Sequence, residues 1–417
     1  MSVAGLDEER FKEILRTTLT PAKAISDPQY LRGRANKLQQ IERAFNSPGK
    51  HIFIFGDRGI GKTSLAQSAA VQRQSSENEP IGIACDQGAG FFQLMRALIV
   101  RCLPPQDLIQ KRKSTLGAKI GVPGLSAEAS RSIEQAQVPP LESINDVINV
   151  LSYVVKLHSR EPVAIIDEFD QLHDPKDRKY FADLIKQISD QGIGLRLILC
   201  GIGSSLDELI GTHLSTGRYL APIELERLHH DALWEIITSA ADALGLQVER
   251  EHLIRIGQIS DGFPYYVHLI GEMMFWSVFD DSRAIRKCAS KHFHDGVKKG
   301  VDEAQASLKL AYEKATQKYS DDYQEVLWAV AENVTFRRQV SDIYENSYLP
   351  IMKHRQGRTV LDKDKFRFRL INLKGPRHGA ILEAKGAGWY QFRENIVRGY
   401  VRLRAEEQDI KLGTDHY

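Results

Sequence analysis

The chain has 417 residues, a length that favours two or three domains over a single core. Its hydrophobic content of 42% and charged content of 26% are typical of a globular protein. The formal net charge is only +2, which excludes a uniformly basic molecule. Any nucleic-acid interface must therefore be a local basic patch.

The cysteine spacing and the hydropathy of the sequence indicate the cellular compartment in which the protein is expected. The four cysteines lie far apart without a CxxC pair, which argues against a disulfide framework or a zinc site and favours a reducing environment. We expect them to be small buried apolar residues. The first fifteen residues lack the apolar segment of a secretory signal, and no stretch approaches the roughly 18 apolar residues that cross a bilayer. We therefore expect a cytoplasmic protein without a membrane partner.

The N-terminal half alternates between short apolar runs and segments with helical periodicity. A helical lead-in over residues 1–50 is broken at Pro21 and Pro28 and contains a helix over 35–45. Strands are predicted at 51–55, 81–84, 163–166 and 195–200, and helices at 63–74, 91–103, 144–157 and 179–190. This alternation predicts an α/β fold with a parallel sheet covered on both faces, within a core over 51–225. Residues 104–140, which contain several glycines and prolines, are predicted to be an insertion or a long connection.

The clearest motif is a complete P-loop, G-x-x-x-x-G-K-[ST], between a predicted strand and a predicted helix. Its glycines let backbone N–H groups face phosphate oxygens, and the helix start adds the positive end of its dipole. We expect Lys62 to reach the β- and γ-phosphates and the Thr63 hydroxyl to bind Mg²⁺. The residues expected to bind the nucleotide here are Gly56, Asp57, Arg58, Gly59, Ile60, Gly61, Lys62, Thr63 and Ser64.

The second half of the predicted site follows the strand at 163–166. There we expect Asp167 to hold magnesium and Glu168 to polarise the attacking water. A helix cap is the structural alternative for such an aspartate, but its position about a hundred residues after a P-loop favours the ATPase site. Ser204, after the next predicted strand, is either a phosphate sensor or an ordinary helix N-cap. The chain has no N-K-x-D sequence that would favour guanine, so ATP is the expected nucleotide.

These motifs resemble those of AAA+ and STAND P-loop ATPases, and among them the chain is most similar to the origin-recognition and archaeal replication-initiator family. The resemblance begins at residues 30–34, where Arg34 belongs to a Gly-Arg motif that the family places beside the adenine. It implies ATP and Mg²⁺ as cofactors, a helical lid over 226–315 and a winged helix over 320–410. Arg218 lies where the family carries an arginine finger, which would act in a homo-oligomer formed through the ATPase domain. The alternative for Arg218 is a surface arginine.

The predicted lid departs from the pattern of the replication initiators. Where they usually carry an arginine that contacts the γ-phosphate, this chain has residues 261–268, which contain none. Gly262 and Pro264 instead resemble the GxP motif of STAND ATPases, in which the proline turn contacts the nucleotide. A plain helix start is the structural alternative, because proline suits the first turn. The departure predicts slow hydrolysis in a switch that is read out by the position of the lid.

After about residue 225 the sequence predicts helices at 232–244, 252–259, 265–279, 290–318, 321–333, 337–353 and 362–373, a β-like stretch at 380–392 and a last helix at 393–406. Residues 351–380 hold nine lysines and arginines against two aspartates, a local excess of seven positive charges. In a winged helix, much of this patch would lie on the recognition helix in the major groove, and the β-like stretch would form the wing. The residues expected to contact double-stranded DNA are Lys363, Lys365, Arg367, Arg369, Lys374, Arg377 and Lys385.

The sequence therefore predicts an ATP-hydrolysing switch that binds DNA through a C-terminal winged helix and assembles with copies of itself or with an effector protein. One alternative is a STAND-like signalling ATPase whose C-terminal domain binds a protein. Another is a nucleotide-binding scaffold without turnover. Salt-dependent DNA binding distinguishes the first reading from the second.

Overall fold

The structure, a computed structural model, describes residues 3, 6–74, 78–103, 138–212, 216–281, 285–316 and 320–414. The chain divides into two compact units. We call residues 24–56 and 62–225 the sheet unit, and residues 1–23, 57–61 and 226–417 the C-terminal unit. Apart from 138–140, the predicted insertion at 104–140 lies outside the described residues.

The sheet unit is built on five parallel strands: β1 (His51–Gly56), β2 (Ile81–Ala84), β3 (Val163–Asp167), β4 (Arg196–Gly201) and β5 (Leu220–Leu225). Their order in the sheet is β2-β3-β4-β1-β5. The central strands are almost wholly buried, as expected for a parallel sheet covered on both faces. The predicted parallel α/β fold is confirmed.

The helices begin and end where local signals place them. Helix α1 (Glu8–Thr18) belongs to the C-terminal unit, and those of the sheet unit are α2 (Ala35–Phe45), α3 (Lys62–Arg73), α4 (Phe91–Cys102), α5 (Ile144–His158), α6 (Pro175–Asp190), α7 (Gly203–Thr212) and α8 (Thr216–Tyr219). Ser143 and Asp146 form a capping box at the start of α5. Asp174 caps α6 with Pro175 in its first turn, so this helix begins earlier than the predicted residue 179.

Strand β5 was not predicted from the sequence. It lies at one edge of the sheet and pairs with β1 over its whole length. Pro222, in the middle of the strand, lacks the N–H that a central strand would need and is tolerated at an edge. The proline removes the usual strand signal, and only the pairing with β1 makes this segment a strand.

The C-terminal unit adds ten further helices and a small sheet among its described residues: α9 (His230–Ala243), α10 (Arg250–Ser260), α11 (Pro264–Phe279), α12 (Ser290–Glu303), α13 (Ala306–Thr316), α14 (Asp322–Ala331), α15 (Val340–Ile343), α16 (Leu349–Lys353), α17 (Lys363–Leu373) and α18 (Ile396–Glu406). The strands β6 (Arg338–Gln339), β7 (Leu382–Ala384) and β8 (Trp389–Phe392) pair antiparallel in the order β6-β8-β7. Helix α18 packs against α10, α12, α13 and α14, so the predicted lid and the segment after it share one unit.

A buried charge cluster ties the turn after α10 to α18. Asp261 adopts the left-handed conformation (φ 51°), and its side chain is only 2% exposed. It accepts hydrogen bonds from Arg227 Nη1 (2.8 Å) and Arg398 Nη2 (3.2 Å), and Arg402 Nη1 lies 3.3 Å from the same carboxylate oxygen. Arg398 and Arg402 also donate to backbone carbonyls at and beyond the end of α14, among them Ala331 O. One carboxylate and the negative end of a helix thus balance three guanidinium groups.

The four cysteines are free and buried, as the sequence predicted. None of the helices in the described part of the chain is long and apolar enough to span a bilayer.

Candidate nucleotide-binding site

The P-loop connects β1 to α3, as its sequence context predicted. Strand β1 ends at Gly56, and α3 begins at Lys62, whose ammonium donates a 3.0 Å hydrogen bond to the carbonyl of Gly56. Gly59 has a φ of +77°, which residues with a side chain rarely adopt. The loop therefore folds back on itself, so that the Lys62 ammonium at its end lies beside the carbonyl of Gly56 at its start.

The two predicted halves of the site meet through one short hydrogen bond. The Thr63 hydroxyl, in the first turn of α3, donates to Asp167 Oδ2 at the end of β3 over 2.6 Å. These residues are 104 positions apart in the sequence, and the parallel sheet brings them together. A hydroxyl and a carboxylate oxygen side by side are the hard ligands that Mg²⁺ prefers.

Glu168 follows directly after β3 in an uncommon backbone conformation. Its φ of 53° places a non-glycine residue in the left-handed region, at a cost on the order of 1–3 kcal/mol. Its own N–H donates to Asp167 Oδ1 (2.8 Å), and its carbonyl accepts from Gln171 N (2.8 Å). The side chain is exposed. Strained residues of this kind cluster at functional sites, which agrees with the predicted role of Glu168.

Negative charge accumulates at this edge of the sheet. The pKa of the Cys85 thiol is raised to about 12, first by burial and then by the nearby carboxylates of Asp167, Asp170, Asp86 and Glu168. Burial also raises the pKa of the Cys200 thiol, and there the positive charge of Lys62 lowers it. The potential at the strand ends is therefore one that attracts a divalent cation.

The other predicted residues of the sheet unit lie in more varied settings. Ser64 Oγ accepts a hydrogen bond from Ile25 N (3.1 Å), so this hydroxyl holds the segment before α2. Arg34 is buried (6% exposed) at the N-cap of α2. Ser204 is exposed in the first turn of α7, and Arg218 is exposed in α8.

Residues 57–61 of the loop group with the C-terminal unit. Asn395 donates a 2.9 Å hydrogen bond to Asp57, and a side chain on Gly59 would collide with Ile396. A Cβ on Gly61 would lie 3.9 Å from Pro264 Cγ, the proline of the predicted GxP motif. Sequence reasoning missed the role of Asn395, because nothing local marks a residue that contacts a loop 338 positions away.

The predicted DNA-binding cations lie on and around α17 and β7-β8, where ion pairs hold several of them. Arg369 pairs with Asp322 (3.1 Å), and Lys363 pairs with Glu345 (2.9 Å). Four acids from outside 351–380 pair with this patch and reduce its local excess from seven positive charges to three; they are Asp321, Asp322, Glu325 and Glu345.

The remaining cations of the patch differ in their surroundings. Lys365 pairs with Asp362, Lys385 pairs with Glu383, and Lys374 lies over the Tyr390 ring. Arg367 and Arg377 are both exposed. Within the described residues, Arg367 forms no ion pair, so it is the cation of α17 that is freest to meet a partner.

A complete P-loop between a buried strand and a helix, with a strand-end aspartate against its threonine hydroxyl, defines a P-loop ATPase fold. Residues 30–198 match the family model of the AAA ATPase domain. No curated protein sequence matches the chain.

Three solved structures align with most of this chain. The Walker-type ATPase of Pyrococcus abyssi is 16% identical with a TM-score of 0.53, over 91% of this chain and 99% of that one. Cdc6p of Pyrobaculum aerophilum is 15% identical over 96% of this chain and 99% of its own, with a TM-score of 0.43. ORC1 of Aeropyrum pernix, solved in complex with DNA, is 13% identical over 91% and 95%, with a TM-score of 0.42. The first similarity supports the fold, and the other two scores are too low to add to it.

Proposed function

We propose that this chain is a Mg²⁺-dependent ATPase that hydrolyses ATP slowly and acts as a DNA-binding switch. The observation that carries the proposal is the 2.6 Å hydrogen bond between Thr63 and Asp167. The separation of these two oxygens is close to the edge of about 3 Å between neighbouring ligands in an octahedral magnesium complex. Both residues would hold Mg²⁺, which when bound neutralises charge on the β- and γ-phosphates.

Two further side chains complete the proposed chemistry. The Lys62 ammonium, at the mouth of the loop, would exchange its bond to the Gly56 carbonyl for phosphate oxygens. The Glu168 carboxylate, exposed at the end of β3, would orient the attacking water. The backbone of Glu168 is held by the hydrogen bond from its own N–H to Asp167, so the metal ligand is tied to the residue that carries the water-orienting group.

The switch would be read by the C-terminal unit through residues 57–61. Asp57 accepts from Asn395, just before α18, and a Cβ on Gly61 would lie 3.9 Å from Pro264 Cγ at the start of α11. A change in the loop on nucleotide binding would therefore reach both helices directly. No arginine stands in 261–268 to complete the site, which supports slow turnover.

We infer a winged helix in the segment from α14 to α18. Three helical segments, α14, α15–α16 and α17, are accompanied by an antiparallel sheet whose strands β7 and β8 follow the third. In this arrangement α17 would be the recognition helix and β7-β8 the wing. The exposed Arg367 on α17 and Arg377 beyond it would meet phosphates.

We also propose that the protein assembles with copies of itself through the ATPase domain. Arg218 is exposed in α8, as a finger for a neighbouring subunit must be. Arg218→Ala should keep ATP affinity and lower hydrolysis. Mixing it with Glu168→Gln should restore part of the activity, because some interfaces then combine two intact halves. No recovery in a mixture shown by sedimentation to co-assemble would contradict the assignment.

The catalytic proposal is tested by steady-state ATP hydrolysis and by titration of Mg·ATP. Lys62→Ala should lose ATP binding, whereas Glu168→Gln should bind ATP normally and hydrolyse it about a hundredfold more slowly, or more slowly still. Glu142→Gln, a change of the same kind at an exposed position in the same unit, is the matched control and should behave as wild type. Equal turnover in wild type and Glu168→Gln would refute the assignment of Glu168. If the wild-type protein binds ATP without hydrolysing it, the protein is a nucleotide-binding scaffold.

The ion-paired state of the basic patch favours a second candidate, a signalling ATPase whose C-terminal domain binds a protein. A local excess of three charges, not seven, predicts a modest number of phosphate contacts. Duplex binding measured over a salt series distinguishes the two candidates, because the logarithm of the DNA affinity falls linearly with the logarithm of the salt concentration. An absence of duplex binding at low salt would favour the protein partner.

A further inference from the structure

Helix α17 carries an apolar stripe on its outer face. Phe368 is 55% exposed and Ile371 is 44% exposed, although the same helix buries Phe366, Leu370 and Leu373 completely. Residues at i and i+3 are neighbours on a helix surface, so Phe368 and Ile371 form one patch. The helix therefore has a full set of core contacts and still presents two large apolar groups outward.

The surroundings of this patch identify the chemistry of its partner. Arg367 lies next to it on the exposed side, and Lys374 follows Ile371 by three residues. Asp364, one turn before Phe368, is exposed on the same side and would repel a phosphate backbone. The two cations outnumber this acid, and cations beside an apolar centre suit a groove in duplex DNA, where the phosphates lie at the rims and the bases at the floor.

We propose that Phe368 and Ile371 contact the 5-methyl groups of thymine in the major groove and thereby give the protein a preference for A·T-containing sites. This inference rests on the proposed DNA binding and adds the base that is read. The thymine methyl is the apolar group that the major groove presents, and side chains such as phenylalanine contact it. Arg367 would position the helix on the phosphates and contribute affinity without selecting a base.

The test uses fluorescence anisotropy with a labelled 30-base-pair duplex of alternating A and T. In a second duplex every thymine is replaced by uracil, which removes only the methyl group. The wild-type full-length chain should bind the thymine duplex about tenfold more tightly, a ratio that corresponds to 1.4 kcal/mol. Phe368→Ala and Ile371→Ala should each reduce this ratio, and the double variant should bind the two duplexes equally, with the affinity for the uracil duplex unchanged.

Two variants serve as controls. Val360→Ala shortens another exposed apolar side chain (47% exposed) that precedes α17, and it should keep the preference for thymine. Arg367→Ala should weaken binding to both duplexes and lower the salt slope by about one unit without changing their ratio. Because all four side chains are exposed, circular dichroism should show native folding for each variant.

The results separate the failure of this inference from the failure of the proposed function. Salt-dependent binding with equal affinity for the two duplexes would keep the DNA proposal and overturn the reading of thymine. Absence of duplex binding would overturn both. If Phe368→Ala instead changes self-association in sedimentation without any effect on DNA, the patch is a protein interface and the inference is wrong.

Discussion

Replacing Asp261 with asparagine removes the negative charge shared by three arginines while keeping the shape of the side chain. The side chains of Asp261, Arg398 and Arg402 are 2%, 1% and 3% exposed, so water cannot replace the lost partner. Burial already lowers the pKa of Arg398 well below its usual value, and Asp261 is the group that counteracts this effect. In the variant, the two buried cations would keep only neutral acceptors, namely the amide oxygen that replaces the carboxylate and the backbone carbonyls.

The expected loss of folding stability follows from the burial of these three side chains. Breaking a buried ion pair by removing one partner costs about 3–5 kcal/mol. Arg402 also donates hydrogen bonds to two backbone carbonyls, Gln258 O at 2.6 Å and Ala331 O at 2.8 Å. These bonds remain in the variant and reduce the loss of stability. Arg227 is 31% exposed and contributes little. We therefore expect Asp261→Asn to lower the free energy of unfolding by about 3 kcal/mol, a shift of about 1.5 M in the urea midpoint at an m-value of about 2 kcal/mol/M.

Tryptophan fluorescence is the appropriate assay, because all four tryptophans of the chain lie in the C-terminal unit. Asp280→Asn is the matched control: Asp280 is 60% exposed and pairs with Lys299, so its loss should stay below about 1 kcal/mol. Adding Arg398→Met to Asp261→Asn should cost less than the sum of the single changes, since one of the two unpaired buried charges is then gone. A cooperative transition that Asp261→Asn shifts by no more than the control would refute the reasoning.

Two other predictions concern a buried histidine and a turn. Burial, and to a smaller extent the positive charge of Arg196, lowers the pKa of His51 to about 3. The folded protein therefore favours the neutral ring, and the stability that this ring contributes is fully present above pH 6.5. As the pH falls from 6.5 towards 3, this stability should be lost at about 1.4 kcal/mol per pH unit. Far-UV circular dichroism in urea should show a flatter pH slope for His51→Asn than for exposed His173→Asn, and equal slopes would contradict this origin. Gly262→Ala should destabilise the C-terminal unit more than Gly245→Ala: both have positive φ, but a Cβ on Gly262 would lie 2.5 Å from Arg227 Cβ, whereas Gly245 faces open space. Equal shifts in tryptophan fluorescence would show that only backbone strain matters.

The sheet and the P-loop could be predicted because their signals are local. Apolar runs bounded by glycine or by carboxylates mark β1 and β3, and the spacing of the glycines and Lys62 marks the loop. The hydrogen bond between Thr63 and Asp167 also follows, because parallel strands deliver their carboxyl ends to one edge.

The remaining features depend on contacts between distant positions. The tally of charges over 351–380 could not include Asp322, which pairs with Arg369 from 47 positions away. The cluster at Asp261 joins α18 across 137 positions, and Arg398 looks like a surface cation in the sequence although it is buried. The positions of these charged side chains are set by contacts between distant segments, and such contacts leave no periodic pattern in the sequence.

The edges of the five-stranded sheet have a consequence for aggregation. An exposed strand edge is a template on which another chain can add a strand. At one edge of this sheet β2 has only four residues, and at the other edge β5 carries Pro222, which offers no N–H to a newcomer. Both ends are thus poor templates, so copies of this protein at high concentration have little tendency to polymerise through their sheets.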